Sequence, residues 1–326
     1  MSPKHKIIYI LGASHSGTTL FSMLLNSIDG ICSVGELKID NISDPDTYLC
    51  SCRSPVAKCS FWTSVVENMN LKGYEYSLSS TKMHFSHIQS AFVKRLLRPL
   101  HKNVLLEMLR DFLLFLSPEW RCFLPVYLDR SAAYSQAIME VAGANIIADS
   151  SKIGIRLKYL LKNNALDVKV IWVVRDARGV ALAYRNPSEF ADASNPALRG
   201  GGSGITLEHS RQLVSGAEEW VKCNEEAESL IKLLPEDGWM RIRYEDLCEN
   251  TDSILEDVAR FVGLDSESVS GKGYRETDHH ILGNGMRLDE TPIRLDERWR
   301  TELNDEEKRR ILQIAKNKMV KYGYQI

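Results

Sequence analysis

The stretch GASHSGTTL, residues 12–20, follows a short apolar run, KIIYIL at 6–11, and leads into a helical pattern. Gly12 and Gly17 are spaced as in the nucleotide-triphosphatase loop G-x-x-x-x-G-K-[ST], whose lysine reaches the β- and γ-phosphates. Thr18 stands where that lysine would be. A strand, a glycine turn and a helix still present several backbone N–H groups to one point, which suits a phosphate or sulfate even without the lysine. The hydroxyls of Ser14, Ser16, Thr18 and Thr19 add neutral donors, and His15 adds a ring nitrogen. The plainer alternative is a tight turn that only joins strand to helix.

Apolar runs of the same kind recur at NIIAD (145–149), VKVIWVV (168–174) and WMRIRY (239–244), with a shorter one at ICSV (31–34). Each is followed closely by a helical pattern, the alternation of a parallel sheet with helices on both faces. What lies just past each run carries more information than the runs themselves. The glycine loop follows the first, Glu36 follows ICSV, Lys152 follows NIIAD, Arg175 and Asp176 follow VKVIWVV, and EDL follows the last. Open α/β sheets bind ligands outside the carboxyl ends of their strands, so these groups are expected to share one cleft.

The 326 residues are 44% hydrophobic and 26% charged with a net charge of −2, which is the composition of a soluble globular chain and offers no general attraction to nucleic acid. The first apolar run enters the glycine loop directly, so it is read as a strand rather than a secretory signal. No later run approaches the ~18 residues of a membrane span; VLLEMLRDFLLFL is broken by Glu107, Arg110 and Asp111. A cytoplasmic protein is expected. Residues 43–130 read as an inserted helical lobe whose basic positions, among them Lys94, Arg95 and Arg98, form a solvated face. The glycine-rich segment at 195–207 reads as a mobile loop. Among seven cysteines, Cys32, Cys50, Cys52 and Cys59 lie in a C-x17-C-x-C-x6-C pattern. Structural zinc sites usually use C-x2-4-C pairs, so plain thiols or one local disulfide are expected, and no metal.

Taken together, these segments resemble the sulfotransferases that use 3′-phosphoadenosine 5′-phosphosulfate. That family's x-[KRH]-S-G-[TS]-[TS]-L loop is matched from His15 to Leu20, and its strand ending in an arginine by VIWVVRDARGVALAYR. Further segments resemble a bacterial branch: GEL (35–37), C-x-C…C-x-F-W (50–62), DSSK (149–152), RYEDL (243–247) and HHILGNGMRL…IRLDERWR (279–300). The resemblance implies a P-loop NTPase-like three-layer α/β/α fold, built as a single domain over 1–326, with the lobe shaping an acceptor pocket. It also implies transfer to a hydroxyl, or less readily an amine, of a small molecule, carbohydrate or lipid.

By the same resemblance, Arg175 pairs with the 3′-phosphate, and Arg287 closes over it. Lys152 stands near the transferred group, His15 assists the leaving phosphate, and Glu36 is the general base. The family's serine eight residues beyond the arginine is replaced by Ala183. Tyr244 and Asp246 read as fold anchors, and His279 and His280 as structural or substrate-contact residues. The rival functions are a P-loop kinase with an atypical loop and a non-catalytic nucleotide-binding protein.

Overall fold

The computed structural model of the chain describes residues 4–38, 42, 44–98, 100, 103–185, 209–269, 273–275, 279–288 and 292–326. Its centre is a five-stranded sheet of β1 (His5–Leu11), β2 (Ile31–Ser33), β3 (Ile146–Asp149), β4 (Leu166–Val174) and β5 (Trp239–Arg243). The strands lie in the order β2-β3-β1-β4-β5, and every pairing is parallel. All five apolar runs therefore form strands, with Tyr244 starting a helix rather than ending β5.

The helices are α1 (Thr18–Leu24), α2 (Ser60–Leu71), α3 (Ala91–Leu96), α4 (Val104–Leu116), α5 (Pro118–Ala142) and α6 (Gly154–Leu160). Beyond β4 come α7 (Ala177–Ala183), α8 (His209–Ile231), α9 (Tyr244–Glu249), α10 (Thr251–Phe261), α11 (Trp299–Glu302) and α12 (Asp305–Lys321). Alternation along β1 divides them into two layers, because successive side chains in a strand face opposite sides. Ile7, Tyr9 and Leu11 pack into one core with Tyr134 and Ile138 of α5, Trp220 of α8 and Met319 of α12. Ile8 and Ile10 pack into the other, with Phe21 of α1 and Leu255 and Val258 of α10. Burial on both faces is why these runs are continuously apolar rather than alternating.

A third, smaller core lies under the lobe, where Val93, Leu97, Leu114 and Trp120 meet Ile155 and Tyr159 of α6. The expected lobe boundary at 130 falls inside α5, which Ser117 caps at its start and Gly143 ends in the left-handed conformation (φ 64°). No break lies between them, so the helix runs from the lobe onto the sheet. Lys94, Arg95 and Arg98 are exposed, as a solvated face requires. So, however, are Leu105, Met108, Phe112 and Phe115 of α4. No helix among the described residues is long and apolar enough to cross a membrane. The glycine-rich segment expected to be mobile, 195–207, lies outside the described residues.

Candidate active site

The loop between β1 and α1 is held in a shape few side chains permit. Gly12 has φ +156°, and a Cβ there would meet the Val173 carbonyl at 2.6 Å. Gly17 has φ +83°, and its Cβ would lie 2.3 Å from the Tyr244 ring. His15 also takes a left-handed φ of 64°, which a non-glycine residue adopts only where the surroundings impose it. Ser16 is fully buried, and its hydroxyl has no hydrogen-bond partner among the described residues. A buried hydroxyl without a partner is costly, and a ligand in the loop would remove that cost. Thr18 is buried, Ser14 and Thr19 are half-buried, and Ser14 lies within hydrogen-bonding reach of Tyr184.

The segments past β2 and β3 are fastened to each other. Ser150 N–H donates to the Gly35 carbonyl at 3.1 Å, Leu37 N–H to Asp149 Oδ1 at 3.2 Å, and Lys38 N–H to Ser151 Oγ at 2.9 Å. Asp149, 1% exposed, also accepts from the backbone and hydroxyl of Ser151 and from Arg156 Nε. The consequence is a close triad. Glu36 is buried, with Lys152 Nζ 2.6 Å from its Oε1 and Lys38 Nζ 2.8 Å from its Oε2. Burial alone would raise its carboxyl, but Lys152 and Lys38 outweigh burial and lower it to about 2. Glu36 is therefore ionised across the neutral range. Lys152 reaches it from a left-handed backbone conformation, φ 61°.

His15 is governed by the same charges. Burial lowers its ring first, Lys152 and Arg175 lower it further, and it titrates at about 4. A neutral imidazole, rather than a cation, therefore occupies the position where the family motif allows lysine or arginine.

Arg175 stands at the end of β4, 5% exposed. It donates to the His15 carbonyl at 3.0 Å and to the Asp296 carbonyl at 2.8 Å, and pairs with Asp296 Oδ2 at 3.0 Å. Its guanidinium lies 4.5 Å from the centre of the Tyr244 ring. Tyr244 Oη in turn accepts from Asp296 N–H at 3.2 Å. The arginine, the tyrosine under Gly17 and the 294–296 segment thus brace the loop from below. The expectation that Tyr244 anchors the fold matches this placement.

The structure brings His15, Glu36, Lys152 and Arg175 together at the carboxyl ends of the strands. Arg287 is different. It is 1% exposed, donates to the carbonyls of Leu49 at 2.6 Å and His280 at 3.4 Å, and lies over the Tyr48 ring, so it presents almost no surface to a ligand. His280 is buried, with Nε2 3.0 Å from Ser22 Oγ. Lys38 and Asp296 were missed by sequence reasoning. Lys38 had a signal, since it lies two residues beyond Glu36 in GELK, whereas Asp296 had only its place in the IRLDERWR segment.

A family profile for the sulfotransferase domain matches residues 155–323. The fold is similar to the sulfotransferase domain from the Synechococcus PCC 7002 olefin synthase, with a TM-score of 0.52 at 17% identity over 100% of this chain and 97% of that one. It is similar also to the sulfotransferase domain from the curacin biosynthetic pathway, with a TM-score of 0.52 at 16% identity over 100% of both chains. A sulfotransferase from Mycobacterium avium gives a TM-score of 0.50 at 11% identity, over 100% of this chain and 79% of that one. No curated protein matches the chain by sequence.

Proposed function

Because the chain belongs to the sulfotransferase domain family, we propose that it moves a sulfuryl group from 3′-phosphoadenosine 5′-phosphosulfate to a hydroxyl on a small molecule, carbohydrate or lipid. The observation that carries this reading is the 2.6 Å contact between Lys152 Nζ and Glu36 Oε1 beside a lysine-free glycine loop. A carboxylate and an ammonium lie side by side close to the loop that holds His15, which supports a base and a cation acting on one anion.

Sulfuryl transfer of this kind depends mainly on positioning and electrostatics, by analogy with phosphoryl transfer. The acceptor oxygen forms a bond to sulfur while the bond from sulfur to the bridging oxygen breaks. The electron pair leaves on the phosphate, and the acceptor proton goes to Glu36. Against two lysines, Glu36 is ionised but weakly basic. An anionic donor in the loop competes for Lys152, and a lysine turned toward the bridging oxygen leaves Glu36 with Lys38 alone. Its basicity then rises at the moment a proton must be taken. His15, neutral in the free protein, donates a ring N–H to the phosphate, and the Ser16 hydroxyl gains the partner it lacks. Arg175 reaches the 3′-phosphate by exchanging Asp296 for it, a contact that matters more because Ala183 supplies no hydroxyl. The helical lobe over residues 43–130, whose core packs on α6 just past Lys152, sets acceptor choice in this reading.

The test is transfer of labelled sulfuryl from 3′-phosphoadenosine 5′-phosphosulfate to a panel of alcohols, run beside thermal stability with 3′-phosphoadenosine 5′-phosphate and with ATP–magnesium. Labelled ester, and stabilisation by the 3′-phosphorylated nucleotide beyond that by ATP, are expected. Stabilisation by ATP–magnesium alone would point to a kinase.

A further inference from the structure

We propose that Cys50, Cys52, Cys59 and His279 form a tetrahedral zinc site that fastens the turn before α2 to the segment running back into the active site. The ligand atoms of all four residues lie within 4.8 Å of one another. Cys52 Sγ is 3.6 Å from Cys59 Sγ, and His279 Nδ1 is 3.8 Å from Cys50 Sγ and 3.5 Å from Cys59 Sγ. A tetrahedral zinc ion with ordinary zinc–sulfur and zinc–nitrogen bonds requires edges of about 3.8 Å between sulfurs and about 3.6 Å between sulfur and nitrogen. These three separations lie within about 0.2 Å of those edges, and the remaining pairs are no more than 4.8 Å apart. They do not fit a disulfide, whose sulfurs are about 2.05 Å apart, and none of the seven cysteines is joined in a disulfide in this structure.

The surroundings are built around the cluster. Cys50 and Cys52 lie on a tight turn in which Arg53 N–H donates to the Cys50 carbonyl at 2.8 Å with Arg53 at φ 65°. Such a turn aims both sulfurs of a C-x-C pair at one point. Cys59 immediately precedes α2, where a thiolate is favoured by the first-turn N–H groups. The His279 ring is stacked on Phe61 at 4.6 Å, and the His279 carbonyl accepts from Trp62 Nε1 at 3.0 Å. Its Nδ1 is thereby turned toward the sulfurs. Three sulfurs and one imidazole in a tetrahedral set favour zinc, and four protein ligands leave no open position, which marks a structural rather than a catalytic ion. Binding one Zn²⁺ requires three thiolates and a neutral imidazole, so thiol protons are released to solvent.

The expectation of no metal rested on the C-x-C spacing. The fourth ligand comes from 220 residues beyond Cys59, where spacing within one segment gives no signal. The ion would also bear on the active site. His280 N–H donates to Ser51 Oγ at 2.8 Å, and Ile281 N–H donates to the Val34 carbonyl at 3.0 Å, beside the Gly35–Ile281 bridge that directly precedes Glu36.

The test is metal content of the full chain, expressed with zinc and purified under reducing conditions without chelator, with X-ray absorption at the zinc edge. One zinc per chain is expected, with about three sulfur neighbours near 2.3 Å and one nitrogen near 2.0–2.1 Å. Cys52→Ser, at the exposed edge of the cluster, is expected to lose most of the zinc, and Cys122→Ser, on the surface of α5, none. Should the first variant misfold, wild-type protein stripped by chelator and titrated with Zn²⁺ decides, with recovery of melting temperature at one equivalent expected. Folded wild-type protein that carries under a tenth of an equivalent and takes up no Zn²⁺ would overturn the site, as would undiminished zinc in Cys52→Ser. None of these readouts depends on sulfuryl transfer.

Discussion

Glu36→Gln separates the chemistry of the site from its stability. The substitution keeps the side-chain size but removes a charge held by two ammonium groups at 2.6 and 2.8 Å from a carboxylate 2% exposed. Its carboxyl is lowered from 4.5 to about 2 although burial works the other way. The free-energy equivalent of that lowering is about 3 kcal/mol. The two lysine side chains are 18% and 21% exposed and can turn to water once the carboxylate is gone, so a net loss of about 1–3 kcal/mol is expected. For a chain of this size that lowers the melting temperature by about 1.5–4.5 °C.

The pH dependence gives the sign. A carboxyl lowered by folding contributes stability that is present above its unfolded value and lost as pH falls through its folded one. The gap between wild type and variant should therefore be full at pH 7 and shrink between pH 4.5 and 2. Differential scanning at several pH values measures it. In single-turnover experiments, where chemistry limits the rate, transfer should fall by ~10²–10⁴-fold, the usual worth of a general base. Affinity for 3′-phosphoadenosine 5′-phosphate should change little. Near-wild-type single turnover would remove Glu36 as the base and make His15 the next candidate. An unchanged melting temperature at every pH would show that the triad does not stabilise the fold.

Three further outcomes test the rest of the site. Arg175→Ala should weaken binding of the 3′-phosphorylated nucleotide by roughly 10- to 100-fold and that of its analogue lacking the 3′-phosphate much less; equal losses in calorimetry would confine Arg175 to bracing the loop through the His15 carbonyl and Asp296. Because Lys152 and Arg175 help burial hold His15 at about 4, an anionic nucleotide should raise it, so binding near pH 6 should take up a proton. Calorimetry in buffers of different ionisation enthalpy should show that uptake in wild type and not in His15→Gln, and equal proton counts would refute it. Gly17→Ala forces a methyl group to 2.3 Å from Tyr244 at φ +83° and should cost roughly 2–4 kcal/mol and abolish nucleotide stabilisation; a variant that melts and binds as wild type would show that the loop is not held in this shape.

The parts of this molecule that were legible in the sequence are those in which one segment carries both the signal and its meaning. KIIYIL and VKVIWVV are apolar throughout because both faces of β1 and β4 are covered, and Gly12 and Gly17 are glycines because a Cβ would strike the Val173 carbonyl or Tyr244. Arg287 shows the limit. A cation near an expected phosphate invites a binding role, but its carbonyl partner at Leu49 is 238 residues away and no local spacing reveals it. The same limit hid Asp296 behind Arg175 and His279 behind the cysteines. The Glu36–Lys152 pair lies between these cases. Each residue was legible as the group just past a strand, but their contact depends on strand order. In the order β2-β3-β1, β3 stands between the strand that delivers Glu36 and the strand that delivers the glycine loop. Lys152, leaving β3, is therefore placed to reach the carboxylate on one side and an anion in the loop on the other. Placing β2 beyond β5 would keep every local motif and separate the base from its cation, so the pairing belongs to the topology rather than to any motif.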